Sequence, residues 1–410
     1  MARRDLLPTD ILTPALDMVA EEGLGALTLR PLAQRTNTSV SALTYHFGVK
    51  DDLLRHLIST ARTEDQAFFD GWRRRLDAVN SLSSVEMANL VEAILSDMVN
   101  CHQRRALFFS ELVQASAHQP GVDIMLLPWL DDRLRFWRDL TGRLSPAADI
   151  DMAEVLHAYA IDETVHALAL EALPAYRWLR RLTVRRLFTG FVSAGPAAGD
   201  ADLFRVFYDE LGQLPDAFGV DHEAAALNHK QAAIVGHISE LIVSAGIEAV
   251  THRAVAGRAG VAASTLAYHF RTQEDLVKAG LEDIIRRLQT QVSDLTADGG
   301  RQTFVREVSH RPYSSIEIAR ATFAVALSAT RRPQLLACAA DMRRRRGINL
   351  HKILKAEFPD PRFDPLAAQA LSVAAIGQIV LSGSKGHTEA SRDATERLET
   401  LSGIIRQKLS

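Results

Sequence analysis

Two stretches of this chain set hydrogen-bond donors at spacings that suit contact with nucleic acid. Residues 28–54 read TLRPLAQRTNTSVSALTYHFGVKDDLL and residues 251–277 read THRAVAGRAGVAASTLAYHFRTQEDLV, aligned without a gap at a constant offset of 223. Thr28, Arg30, Ala33, Arg35, Ser41, Leu43, Tyr45, His46, Phe47, Asp52 and Leu53 recur as Thr251, Arg253, Ala256, Arg258, Ser264, Leu266, Tyr268, His269, Phe270, Asp275 and Leu276. Hydroxyl, phenol, imidazole and cationic groups suit phosphate oxygens, and such contacts fix register without reading sequence. Thr28, Arg30, Tyr45, His46 and Lys50 supply them in the first copy, and Thr251, Arg253, Tyr268, His269 and Arg271 in the second. Val40, Ser41 and Thr44, with Ala42 beside them, share the helical stripe left for base edges in a major groove. Ala263, Ser264 and Thr265 stand at the same end of the second copy.

These side chains work only if short helices hold them, and the flanking residues carry the signals for that. Ile11, Leu12, Ala15, Leu16 and Val19 make one face of a helix over about 9–22, stopped by Gly23. Thr28 is placed to cap the second helix through its hydroxyl, Asn37 to end it in a left-handed conformation, and Ser39 to cap the third. Leu43 and Phe47, four apart, must face the small core shared by these helices. A long fourth helix then runs from Lys50 to about Leu76, without a breaker before Gly71. The pattern is that of a helix-turn-helix DNA-reading module. Two modules in one polypeptide imply both halves of a dimer carried covalently. The Tyr-His-Phe triplets could instead serve only to close a three-helix core, which Phe47 and Phe270 must do in either case.

At 410 residues the chain exceeds one ordinary core and suggests two or three units of roughly 150 residues. Cys101 and Cys338, one in each half within apolar helical patterns, suit two buried thiols in a reducing cytoplasm, and no zinc spacing exists. Neither a secretory leader nor an uncharged run of ~20 residues appears, so no membrane is expected. A net charge of −3 argues against generic polyanion binding, and residues 1–60 carry six Lys/Arg against seven Asp/Glu. Any DNA surface must be local: Arg3, Arg4, Arg30, Arg35 and Lys50 in one copy, Arg253, Arg258 and Arg271 in the other.

Nearly every segment has the three-to-four-residue apolar spacing of amphipathic helices, and strand alternation is absent, so the fold class is all-α. Further helices are expected at about 84–101, 104–118, 122–143, 149–172, 174–194 and 201–214, with a linker from Leu214 to Val220. The second half restarts near Asp221, with later helices at about 273–293, 301–310, 313–330, 333–357, 365–382 and 388–409. This gives reading modules at 1–54 and 221–277, each followed by a helical region, 55–220 and 278–410. The helix pairs 149–172 with 174–194 and 365–382 with 388–409 are expected to pack together as one intramolecular bundle. The run Arg343 to Arg346 points all around a helical turn and reads as a solvated or ion-paired face rather than a second contact to DNA or to an acidic ligand.

The first helical region concentrates Phe108, Phe109, Leu112, Met125, Trp129, Phe136, Trp137, Tyr159 and Trp178. At such spacings aromatic residues form a core or, where a bundle admits a guest, the wall of an apolar pocket. The pocket set would be Phe108, Phe109, Leu112, Trp129, Phe136, Trp137 and Tyr159 with His166, and His157 and Arg104 as further polar members. Glu154-x-x-His157 and Glu163-x-x-His166 have the spacing of di-metal bundles. Nine residues turn a helix by about 180°, so the two pairs face opposite ways. No metal, cofactor or catalytic residue is expected.

The repeated passage resembles the amino-terminal signature of the TetR family of transcriptional regulators. The residues that carry it are Thr28-x-Arg30-x-Leu32-Ala33, Thr38-Ser39-Val40, Leu43-Thr44-Tyr45-His46-Phe47 and Lys50-x-x-Leu53. The resemblance covers about 50 residues in each half. It implies a three-helix DNA-binding module followed by a helical effector-binding and dimerisation bundle, in a family of shorter chains that are normally homodimers. Two tandem units then look like a single-chain pseudo-dimer. Both copies depart from the family's Tyr-Tyr-His-Phe, with Thr44 and Ala267 at its first position. The second copy also has Ala262 for Ser39, Gln273 for Lys50 and His252 for Leu29, with Arg271 in place of Gly48 as a substitute cation. The implied function is a repressor on double-stranded operator DNA, released by a small apolar or aromatic effector. An activator, or a regulator using its first module alone, fits the same residues. A helical ligand- or metal-binding protein without DNA binding is the alternative from another class.

Overall fold

A computed structural model of the chain describes residues 8–119, 121–145, 151–190, 199–215, 229–297, 312–357 and 363–382. Arg3, Arg4 and the helices expected at 301–310 and 388–409 lie outside the described residues. Among the described residues there are α-helices, short 3-10 turns and no strand. The first half comprises α1 (Pro8–Glu22), α2 (Leu29–Arg35), α3 (Val40–Phe47), α4 (Lys50–Arg75), α5 (Ser84–Cys101), α6 (Gln103–Ala115), α7 (Val122–Thr141), α8 (Met152–Leu170), α9 (Pro174–Thr189) and α10 (Asp200–Leu211). The second comprises α11 (His229–Ala245), α12 (His252–Ala259), α13 (Ala263–His269), α14 (Gln273–Ala297), α15 (Pro312–Ala329), α16 (Leu336–Arg344), α17 (Ile348–Glu357) and α18 (Pro365–Ser382).

Most boundaries follow local signals. α1 buries Ile11, Leu12, Ala15, Leu16 and Val19 on one face, as the spacing requires. Ser83 and Glu86 cap α5 reciprocally: the Ser83 hydroxyl accepts the Glu86 N–H at 3.3 Å, and the Glu86 carboxylate accepts the Ser83 N–H at 2.8 Å. The single helix expected over 333–357 is instead a 3-10 turn at Pro333–Leu335, then α16 and α17. The break falls at Gly347, whose φ of 84° is left-handed and whose backbone lies on α18. A β-carbon there would stand 2.5 Å from the carbonyl carbon of Ala368. Cys338 is buried, but Cys101 is exposed, because the apolar stripe of α5 runs out of cover at Cys101, the last residue of that helix.

The two halves meet along α8. This helix touches α5, α6, α7 and α9 of its own half and α15, α16 and α18 of the other. A helix enclosed on every side must be apolar all round, which is why α8 lacks a polar face. Its two buried carboxylates, Asp162 and Glu163, are met by the arginine run. Arg343 reaches Glu163 at 2.7 Å and Arg346 reaches Asp162 at 3.0 Å, both pairs buried. Arg344 and Arg345 turn to Asp341 at 2.6 and 2.9 Å. The run is thus ion-paired throughout, and two of its members are interior rather than solvated, because α16 ends against α8 and residues three apart share that side. α18 has the length and apolar composition of a membrane-crossing helix, yet it is largely buried, packed on α8 and α9.

Candidate nucleic-acid interface

In the first module the Ser39 hydroxyl accepts the Ala42 N–H at 3.0 Å and caps α3, while Asn37 takes a φ of 50° at the turn. Leu43 and Phe47 are buried where α3 packs on α2 and α4, which leaves Val40, Ser41, Thr44 and Tyr45 pointing outward. Tyr45 is 81% exposed, and the half-buried His46 ring meets its edge at 5.2 Å. Arg30 on α2 and Lys50 at the start of α4 are exposed on the same module. Thr28 sits at the N-cap of α2 with extended backbone, but its hydroxyl makes no capping bond, contrary to the sequence expectation.

The second module repeats this geometry with changes. Tyr268 is 83% exposed and meets His269 at 5.2 Å, as in the first copy. Ala263, Ser264, Thr265, Arg253 and Arg271 are exposed. Here Thr251 does cap its helix, accepting the Ala254 N–H at 3.2 Å, whereas Ala262 leaves α13 without a side-chain cap. His252 compensates in part: its Nε2 lies 2.8 Å from the Phe270 carbonyl oxygen and ties α12 to the end of α13, a bond Leu29 cannot make. Thr272 and Asp275 then form a reciprocal cap on α14, at 3.0 and 2.8 Å.

Two arginines expected on the DNA surface are diverted. Arg35 pairs with Glu21 at 2.6 Å and Glu22 at 3.1 Å, and its hydrogen bond holds the Glu21 carboxyl below the usual range. Arg258 pairs with Glu240 at 3.4 Å. Each ties α2 or α12 to the first helix of its module, so the local basic footprint narrows to Arg30 and Lys50, and to Arg253 and Arg271.

The aromatic set of the first half is packed as core. Phe108, Phe109, Leu112, Trp129, Phe136, Trp137, Tyr159 and His166 are all buried. Phe109 meets Trp129 at 5.1 Å, Phe136 meets Phe69 at 4.4 Å, and the Trp129 indole donates to Asp65 at 2.6 Å. Asp65, on α4, also binds Arg133 at 2.8 Å and Arg105 at 3.1 Å, and the Arg133 guanidinium lies 3.5 Å over the Phe109 ring. Tyr159 is hydrogen-bonded to Thr183 at 2.7 Å, and His166 Nδ1 lies 2.8 Å from the Asp162 carbonyl oxygen. Ring faces thus pack on neighbouring rings and side chains, while His166 Nε2 is buried without a hydrogen-bond partner, and the set packs as core. The two Glu-x-x-His pairs part in the same way, Glu154 standing by Arg138 at 3.8 Å and Glu163 by Arg343. Arg104 pairs with Asp17 at 2.6 Å, and Trp178 stacks on Phe207 at 5.6 Å.

Sequence spacing gives no sign of how the modules are joined. Arg331, in the turn after α15, reaches Glu111 of α6 at 2.7 Å and Glu248 of the second module at 3.5 Å. It also lies 3.5 Å from the Val19 carbonyl oxygen, at the end of α1, while Glu111 accepts the Leu24 N–H at 3.3 Å. In the reverse direction Gln114 of α6 donates to the Val243 carbonyl at the end of α11, at 3.1 Å. Each half therefore grips the first reading helix of the other. The only hint in the sequence is Glu248 in place of Gly25.

Two three-helix units, each presenting an exposed tyrosine beside a half-buried histidine at the end of its outer helix, define a helix-turn-helix DNA-binding protein. The sequence profile of the bacterial regulatory proteins of the tetR family matches residues 11–57 and again residues 234–279, one unit each. The chain is a TetR-family DNA-binding transcriptional regulator in which the reading domain occurs twice. No curated protein matches it.

Proposed function

We propose that one chain binds one operator as a monomeric pseudo-dimer and represses transcription until a small apolar or aromatic molecule releases it. The packing of α8 and α9 against α18 within one polypeptide carries this reading, since it occupies the surfaces a homodimer would use. Covalent linkage makes that docking intramolecular, at an effective concentration around millimolar. Arg30, Tyr45, His46 and Lys50 would hold phosphates on one half-site, with Thr28 as a further donor and Val40, Ser41 and Thr44 on base edges. Arg253, Tyr268, His269 and Arg271 would do so on the other, with Thr251 at the helix start and Ala263, Ser264 and Thr265 toward the bases. Light scattering of the chain with and without its own upstream DNA tests the assembly. One chain per operator is expected, and an obligate dimer of chains defeats it. A reporter gene under that upstream DNA should fall in output when the chain is present. The uncapped α13 favours a second reading, in which only the first module engages DNA.

A further inference from the structure

Between α10 of the first half and α16 to α18 of the second lies a cavity of about 440 Å³, within the range of sites that hold small organic ligands. Its wall is largely apolar, built from Phe204 and Tyr208 on one side and Ile348 and Leu366 on the other. Four cationic side chains line it, Arg205, Arg344, Arg346 and Lys352, against two carboxylates, Asp209 and Asp364. Several of these charges are already met. Arg346 is on Asp162, Asp364 is on Arg186 at 2.6 Å, and Arg344 is on Asp341 with its guanidinium 4.6 Å from the Tyr208 ring centroid. Arg205 pairs with Asp202 at 3.2 Å on the exposed face of α10. Lys352 is exposed at the rim and has no ion-pair partner among the described residues.

We propose that this cleft is an effector site for a small amphipathic anion, its apolar body between α10 and α17 and its acidic head on Lys352. The site rests on the regulatory reading given above and supplies its ligand class and its route. α17 carries Ile348 and Lys352 into the cavity and packs on α14, the helix that leaves the second reading module. α16, at the same wall, carries Arg343, and the turn after it carries Arg346, the two arginines that engage α8. A ligand that prefers one separation of α10 and α17 therefore biases the position of α14, and with it the second reading head. Equal affinity for both positions would shift nothing.

The test is calorimetric titration of the full chain, without DNA, with decanoate, decanol and decylamine. Decanoate is expected to bind with one site per chain and about tenfold more tightly than decanol, the worth of one charge-assisted contact. Ala201→Trp, which fills the cavity from the exposed face of α10, should abolish binding. Lys352→Glu should reverse the preference toward decylamine, so the charge assignment is tested even if the tryptophan variant fails to fold. Undetectable decanoate binding, equal binding of decanol, or an unchanged preference in Lys352→Glu overturns the site. Ligand-free binding to upstream DNA, measured in parallel, belongs to the regulatory reading alone. Loss of that binding would sink the regulator while leaving the site standing.

Discussion

Gly377 of α18 lies so close to Ala158 of α8 that a β-carbon on it would stand 2.6 Å from the Ala158 carbonyl carbon and overlap the oxygen. Backbone meets backbone here, so no side chain can swing aside. Gly377→Ala gains roughly 0.5–1 kcal/mol of helix propensity. Overpacking against a fixed neighbour costs about 1–3 kcal/mol or more. The second effect should win, and the variant should lower the midpoint of urea unfolding. A higher midpoint would mean that the two halves can part at no cost.

The Glu163–Arg343 pair makes acid sensitivity a property of the same junction. Burial pushes the Glu163 carboxyl up, but Arg343 and the Tyr176 hydroxyl outweigh it and hold it at about 2, against 4.5 for an ordinary glutamate. A carboxyl held low when folded contributes stability that is complete above its unfolded value and is lost as pH falls from 4.5 toward 2. Glu163→Gln, which leaves Arg343 buried without its counter-charge, should cost about 3–5 kcal/mol at pH 7. The gap between wild type and variant, read by urea unfolding, should narrow below pH 4.5. A gap that stays constant down to the acid limit would assign the acid loss to other groups.

Arg320 presents the opposite case. It is buried between α6 and α18, with only the carbonyl oxygens of Gln114 and Val380 at 3.4 Å, and burial pushes its guanidinium down to about 10. No carboxylate stands by it among the described residues. A buried charge without a counter-charge keeps its desolvation penalty unrepaid, and an apolar side chain of similar volume removes that penalty. Arg320→Met should therefore leave the melting temperature unchanged or raise it. A marked fall would show that the two carbonyls depend on the guanidinium.

Local features were legible in the sequence because their causes are local. Asn37, Ser39, Leu43 and Phe47 act within one or two helical turns, and the duplicated passage announced two modules outright. α8 gave its length but not its neighbours: its carboxylates are answered from residues 343 and 346, which no spacing rule connects to 162 and 163. The aromatic set was readable as core or pocket, and only the contacts of Trp129 with Asp65 and of Phe136 with Phe69 decide between them. Arg35 and Arg258 looked like DNA contacts because sequence charge does not say which neighbour a long side chain will find.

Arg331 should set the spacing of the two reading heads. Its guanidinium joins Glu111, which anchors the entry to the first module, to Glu248 of the second. Arg331→Ala leaves both modules intact but removes their shared tie, and it leaves Glu111 buried without its cation. Two heads must sit about 34 Å apart, or a multiple of that, to engage successive turns of one face of DNA. The variant should therefore lose affinity for a two-half-site operator and keep its affinity for an isolated half-site. Equal losses on both DNAs would place the defect inside a module instead.

The two modules should also differ in what they contribute. A homodimer must present identical helices, but here Val40, Ala42 and Thr44 face Ala263, Thr265 and Ala267, and only α3 has a side-chain cap. The preferred operator is accordingly expected not to be a good palindrome, with the first half-site the more strongly specified. Tyr45→Ala with Lys50→Ala should cost more operator affinity than Tyr268→Ala with Arg271→Ala, measured by fluorescence anisotropy at fixed salt, since phosphate contacts are salt-dependent. Ala262→Ser would restore the missing cap, worth about 1 kcal/mol, and should strengthen the second module's half-site binding by up to about fivefold. A symmetric selected site together with equal losses in the two double variants would show that the modules read alike.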